Sequence, residues 1–194
     1  MRTLAMLATM AALSAAPGAA RACPTAADLD RGIRFQVDDA ATEVFRRLSG
    51  TRVQSDYGGD GFVSRTILVK GLYLAELVDV EDGAPVPRTR TTYSLPDASG
   101  LPEPVPGESF RVSVLSDGPD GTETEDQIYT FGHAATVNFG ACAYDMVPVD
   151  LSYVGSDVRE VLHYLPQLGI AYVAEYHDDD VDEHYTYYRI EAVK

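Results

Sequence analysis

A mainly β fold, drawn as one curved antiparallel sheet or half-barrel, is predicted by three features of this chain. Apolar residues recur at every second position in run after run, turn residues separate the runs at short intervals, and helical spacing is scarce between them. Strands in that order, with no crossover helices, indicate an antiparallel meander.

The elements follow in chain order. Residues 24–31 fit one short helix, with Thr25 as its cap and Gly32 as its stop. Ile33, Phe35 and Val37 then alternate with Arg34 and Gln36, the signature of a strand with one buried face. Residues 42–48 fit two periods. Val44, Phe45 and Leu48 suit a helical face, but the segment follows the short Asp38-Asp39 turn as a hairpin partner does, so it is read as strand. Further runs are 62–69, 72–80, 91–95, 110–114, 127–131, 147–153, 158–165, 170–177 and 185–193. The pairs 67–69 with 72–80, and 158–165 with 170–173, are apolar on both faces, as strands covered on two sides would be. Gly58-Gly59-Asp60-Gly61, Glu81-Asp82-Gly83, Asp117-Gly118-Pro119-Asp120-Gly121 and Gly155-Ser156-Asp157 supply the turns. Residues 84–107 hold six prolines, and the second half, 96–107, predicts an extended surface connection. Gly71-Leu72-Tyr73-Leu74-Ala75-Glu76 is faintly echoed by Gly169-Ile170-Ala171-Tyr172-Val173-Ala174-Glu175, but the Gly-to-Glu spacing differs by one, so this is no repeat.

The first residues give an address. Arg2 precedes an uncharged apolar run from Leu4 to Leu13, Pro17-Gly18 breaks it, and Ala20-Arg21-Ala22 offers small residues for cleavage before Cys23. Residues 1–22 therefore read as a secretory signal, too short for a permanent membrane helix, and 23–194 as a single β-rich domain of the bacterial periplasm. No later apolar run approaches membrane-spanning length. The whole chain carries 15 Lys and Arg against 30 Asp and Glu, a net charge of −15; without Arg2 and Arg21 it is −17. Such a surface repels phosphate, which excludes nucleic acid as a partner, and its simplest role is solubility.

Two cysteines remain after cleavage, Cys23 and Cys142. In an oxidising compartment the economical outcome is one disulfide between them. The rival is a lipid anchor on Cys23; Arg21 fits that processing poorly, and Cys142 would be left alone.

Candidate sites are few. His177 and His184 flank an acidic loop containing Asp178, Asp180 and Asp182. Two imidazoles across a hairpin neck with nearby carboxylates are the donors zinc takes. The loop falls short of a calcium motif, with Glu183 where glycine is needed and Arg189 where the bidentate Glu belongs. The plainer reading, a solvated hairpin tip, is preferred, and no metal or other cofactor is expected. Eight of the twelve tyrosines lie from Tyr144 onward. They suit a ligand surface, although half-buried sheet packing accounts for them more simply. No hydrolase elbow, zinc-protease motif, phosphate loop or dinucleotide fingerprint is present, and His133 and His163 have no partner legible in sequence.

The C-terminal third has a shape of its own. Residues 143–151 form a strand, followed by residues 161–170 and then a Glu/Tyr strand, with Tyr164-x-Pro166-x-Leu168-Gly169-Ile170 as the turn. This resembles the closing hairpins of envelope proteins built on the curved half-barrel of the lipoprotein carriers LolA and LolB. The resemblance implies a concave sheet able to hold acyl chains. The expected function is accordingly non-catalytic: binding of a lipid, another apolar ligand or a protein partner. An assembly factor docking on another envelope protein is the second reading, and a hydrolase the third.

Overall fold

The computed structural model describes residues 22–59 and 61–194. The expected leader, apart from Ala22, lies outside the described residues. Fifteen strands run in chain order: β1 (Ile33–Val37), β2 (Ala41–Arg47), β3 (Arg52–Gly59), β4 (Phe62–Val69), β5 (Tyr73–Glu81), β6 (Ala84–Pro85), β7 (Thr91–Ser94), β8 (Ser109–Gly118), β9 (Gly121–Phe131), β10 (Ala135–Phe139), β11 (Cys142–Tyr153), β12 (Arg159–Leu165), β13 (Ile170–His177), β14 (Asp182–His184) and β15 (Tyr187–Ala192). They form one antiparallel sheet in the order β14-β13-β12-β11-β9-β8-β7-β5-β4-β3-β2-β1-β15, with β6 on β5 and β10 on β11.

Most of this meander follows the alternation in the sequence. Residues 42–48 are strand, paired on both sides by β1 and β3. Four strands lie outside the runs read from the sequence, β3, β6, β10 and β14, although β10 does alternate, with Ala135, Val137 and Phe139 on one face. In β3, Val53, Ser55 and Tyr57 share a face, and only the first is aliphatic. β9 begins six residues earlier than its apolar end at 127–131, because its Thr/Glu-rich half is held by the ladder to β8 rather than by burial. The expected N-terminal helix is a single 3-10 turn, Ala26–Asp30. Asp28 accepts from the Thr25 backbone at 2.9 Å, and Gly32 at φ +124° turns the chain into β1.

The last hairpin also differs from expectation. On the side away from β12, β13 pairs with the short β14 alone; after Tyr185 and Thr186 the chain crosses over, and β15 pairs with β1. The two edge strands of the sheet are thus consecutive in sequence. Tyr185 N donates to Ala174 O at 2.9 Å and Asp38 N to Thr186 O at 2.9 Å, so this crossing is tied to both sides. The sheet curls strongly without closing into a barrel.

Two packed cores flank β13. One centres on Phe35, whose ring meets Phe45, Phe139 and Tyr187 at centroid distances of 5.7, 5.1 and 5.7 Å. The other centres on Tyr73 and Tyr129, 5.0 Å apart. β13 sends Tyr172 to the first and Ala171 to the second, which is why its run is apolar on both faces.

One end of the curl is shut where two turns touch. Lys70 and Gly71, at φ +54° and +65°, form the tight turn between β4 and β5. Gly71 O accepts from Ala171 N at 2.7 Å, just past the β12–β13 turn. A Cβ on Gly71 would lie 2.0 Å from Gly169 O, so only glycine fits. The proline-rich segment seals the same end rather than running over the surface. Leu101 is 1% exposed inside the second core, its carbonyl accepts from Lys70 Nζ at 2.7 Å, and Pro102 O accepts from the Tyr73 hydroxyl at 2.8 Å.

Cys23 and Cys142 form a disulfide-compatible pair, with sulfurs 2.06 Å and Cα atoms 5.5 Å apart and 119 residues between them in sequence. Intact protein should therefore resist thiol alkylation until reduced, and reduction should lower unfolding stability by about 5 kcal/mol, the chain-entropy value for so long a loop. Alkylation without reductant would refute the pairing. Gly71→Ala should cost about 2 kcal/mol or more beyond Gly83→Ala. Gly83 has similar backbone at φ +80° but nothing within 4 Å of the added methyl. Equal denaturation midpoints for the two variants would show that the turns do not meet as described.

Candidate functional site

Above the closed end the curled sheet leaves a cavity of about 820 Å³, within the range of small-ligand sites. Alternation along each strand decides what faces it. On β11, Leu151 and Tyr153 point in, while Asp150 points out to an ion pair with Arg159. On β12, Glu160 and Leu162 point in, and on β4, Ser64, Thr66 and Leu68 do. Leucines from β4, β5, β11 and β12 give the cavity apolar walls. Among the described residues the rest of the lining is unusual: eight tyrosines and five acidic residues, of which Asp126 turns its carboxylate to Arg111, with no Lys, Arg or His.

Two carboxylates are sunk in the lining, on different strands. Glu43, on β2, is 8% exposed; it accepts from the Ser55 hydroxyl and from the Tyr187 hydroxyl, the latter at 2.6 Å. Burial pushes its carboxyl up to about 7, against the pull of those two donors. Glu160, on β12, accepts from the Tyr153 hydroxyl at 2.6 Å. Burial raises its pKa first, and the nearby Glu125 charge adds to the effect. Around Glu160 a second chain of hydrogen bonds runs along β9. The Tyr129 hydroxyl donates to Gln127 Oε1 at 2.9 Å, and Gln127 Nε2 donates to Glu125 at 3.2 Å. Tyr93, on β7, completes this corner; burial, then the charges of Glu125, Glu160 and Glu123, hold its phenol up to about 12. Burial likewise raises the phenols of Tyr129, Tyr153 and Tyr187, so these four are neutral at any physiological pH and act as hydrogen-bond donors.

The residues singled out in sequence fall elsewhere. The β13–β14 register pairs His177 with Asp182 and His184 with Glu175, and the two imidazoles meet edge to face across the neck as expected, with ring centroids 5.7 Å apart. His177 Nδ1 lies 2.9 Å from Asp182 Oδ1, and its Nε2 3.1 Å from Glu175 Oε2. His184 lies 3.3 Å from Asp182 and 3.8 Å from Glu175. Asp178 does not join them; its Oδ1 accepts from the backbone N–H of Asp180 and Val181, which shapes the tip. Asp180 is exposed on that tip. Among the described residues no group of three or more His, Cys, Asp or Glu is arranged to hold a metal ion. Of the C-terminal tyrosines, Tyr153, Tyr172, Tyr176, Tyr185 and Tyr187 line the cavity, whereas Tyr144 and Tyr164 pack in the cores and Tyr188 is exposed. His163 sits in the wall with Nδ1 2.9 Å from the Tyr172 hydroxyl, and burial lowers its pKa. Glu43 and Glu160 were invisible among 30 acidic residues; only cross-strand register separates them from the rest.

No protein-family model matches the chain, and no curated protein matches it in sequence. Among solved structures, it is similar to a hypothetical lipoprotein, YmcC of Escherichia coli (K12), with a TM-score of 0.44 and 9% identity, over 81% of this chain and 86% of that one.

The buried Glu43 has a pH consequence. Its folded carboxyl titrates at about 7 instead of its ordinary 4.5, so the folded state binds the proton more tightly than the unfolded chain. Its contribution to stability is therefore present below the ordinary value and is lost as pH rises to about 7, a swing of about 3 kcal/mol. Urea unfolding of wild type and Glu43→Gln at pH 4.5, 6 and 8 measures it. Wild type should lose stability relative to the variant across that range; a constant difference would show that Glu43 is ionised throughout.

Proposed function

We propose that this protein is a non-catalytic binding protein of the bacterial envelope, exported across the inner membrane, which holds one small apolar or amphipathic molecule inside its curled sheet. The cavity of about 820 Å³ carries this reading. A protein of this size does not leave such a space without a structural cost, since unfilled apolar volume forfeits packing. The leucine walls suit a hydrocarbon, and the tyrosine hydroxyls and carboxylates suit a polar group attached to it. The apolar leader sequence and the Cys23–Cys142 pair support export to an oxidising space. The resemblance of the Tyr164-to-Ile170 turn to the half-barrel lipoprotein carriers agrees with the same class of ligand.

Fluorescence titration with the neutral dye N-phenyl-1-naphthylamine tests the reading. The dye should bind saturably at one site. Thr66→Trp, which fills the cavity from the middle of β4, should weaken binding at least tenfold with an unchanged circular dichroism spectrum. A non-saturable response in wild type, or full binding by a folded Thr66→Trp, would end the proposal.

A further inference from the structure

We propose that the molecule held in this cavity is a cationic amphiphile, its positive head seated between Tyr93 and Tyr153 against Glu125 and Glu160. This rests on the reading of the cavity as a ligand site and adds the sign of the ligand's charge.

The first support is the distribution of charge. The outward-turned carboxylates take guanidinium partners: Asp56 with Arg65 at 2.6 Å, Asp150 with Arg159, and Asp126, which borders the cavity but turns its side chain away from it, with Arg111 at 2.7 Å. The inward ones take neutral partners. Glu160 is held by the Tyr153 hydroxyl, Glu125 by the Gln127 amide, and Glu43 by Ser55 and Tyr187. No basic side chain lines the cavity. Carboxylates taken out of water without a counter-charge are costly, and a bound cation is what offsets that cost.

The second support is the tyrosine faces. Tyr93 and Tyr153 are half-buried on the cavity wall, and the Tyr153 hydroxyl is turned to Glu160; Tyr129, 1% exposed with its ring against Tyr73, contributes only the hydroxyl that holds Gln127. Each phenol that donates to an acceptor leaves its ring face as the remaining polar surface, negative at the centre and attractive to a cation. Rings with carboxylates behind them are the environment in which quaternary or primary ammonium groups are held. The third support is exclusion. A fatty acid or phosphate head would meet the carboxylates of Glu43, Glu123, Glu125 and Glu160 and no base, which disfavours it by like-charge repulsion. The apolar part of the ligand then lies along Leu68, Leu74 and Leu77 of β4 and β5.

Displacement of N-phenyl-1-naphthylamine from the full-length protein in about 150 mM salt, where the screening length is about 8 Å, provides the test. Three probes with the same tail are compared below their micelle concentrations: dodecyltrimethylammonium, dodecanol and dodecanoate. The cation should displace dye at one-tenth or less of the dodecanol concentration, with dodecanoate weakest. Glu160→Gln keeps an acceptor for Tyr153 and removes the charge; it should cut the cation's advantage about tenfold and leave dodecanol unchanged. Asp120→Asn, on the exposed β8–β9 turn, should change neither. If the dye binds and the three probes displace it alike, or none displaces it, the charge assignment is overturned while the cavity remains a ligand site. If Asp120→Asn costs as much as Glu160→Gln, the preference comes from the overall negative charge and the assignment is again overturned. If the dye itself fails to saturate, the cavity reading falls and takes this inference with it.

Discussion

Contact between two glycine turns governs the shape of this molecule. Gly71 and Gly169 lie on hairpins far apart along the sheet, and the hydrogen bond from Ala171 N to Gly71 O brings them together. A sheet of this length with ordinary twist would open into a long saddle. Here the touching turns fix how far it curls, and the absence of a side chain at Gly71 lets backbone meet backbone. Leu101 and the prolines beside it then plug the same end, held by Lys70 and Tyr73. The opposite side of the curl is spanned by the crossing from β14 to β15, which is tied to β13 and β1 but leaves the ladder open.

From that curl comes a division of the interior. Two regions are packed densely, around Phe35 and around Tyr73 and Tyr129, and the space between the walls stays hollow. Large half-polar side chains make this tolerable. A tyrosine can bury its ring in a core and present its hydroxyl to the hollow, as Tyr187 does toward Glu43 and Tyr153 toward Glu160. The same hydroxyls keep buried carboxylates hydrogen-bonded without neutralising them. Stability is therefore supplied at one end and at the two cores, while the electrostatic penalty is concentrated at the walls, where a ligand is able to relieve it.

Strand positions were legible wherever one face of the strand is aliphatic, as in β1, β8 and β11, because burial imposes a period of two on the sequence. They were hidden where the ladder itself does the holding. β3 and the Thr/Glu half of β9 are strands because their neighbours are, with little local signal. The echo between the segments beginning at Gly71 and Gly169 was visible but had no meaning in one dimension; in space the two glycines touch. The acidic loop between His177 and His184 attracted attention through its composition. The strand register instead pairs each imidazole with a carboxylate and assigns Asp178 to the turn. The proline-rich segment misled in another way, since polar, turn-rich stretches usually lie outside, and one leucine at 101 was enough to draw this one in.

By itself the sequence determined the mainly β meander, the turns that punctuate it, the acidic surface and the two cysteines available to pair; each is written in residue type and short-range spacing. Only tertiary structure decided that Glu43, Glu123, Glu125 and Glu160 would border one hollow with eight tyrosines while the described bases lay elsewhere. The reason is that inward or outward direction on a strand depends on register and on the bulges that shift it, as between Val161 and Leu162 or Ile67 and Leu68. A one-residue slip exchanges the two faces, and nothing in a list of thirty acids marks which side of such a slip each will fall on.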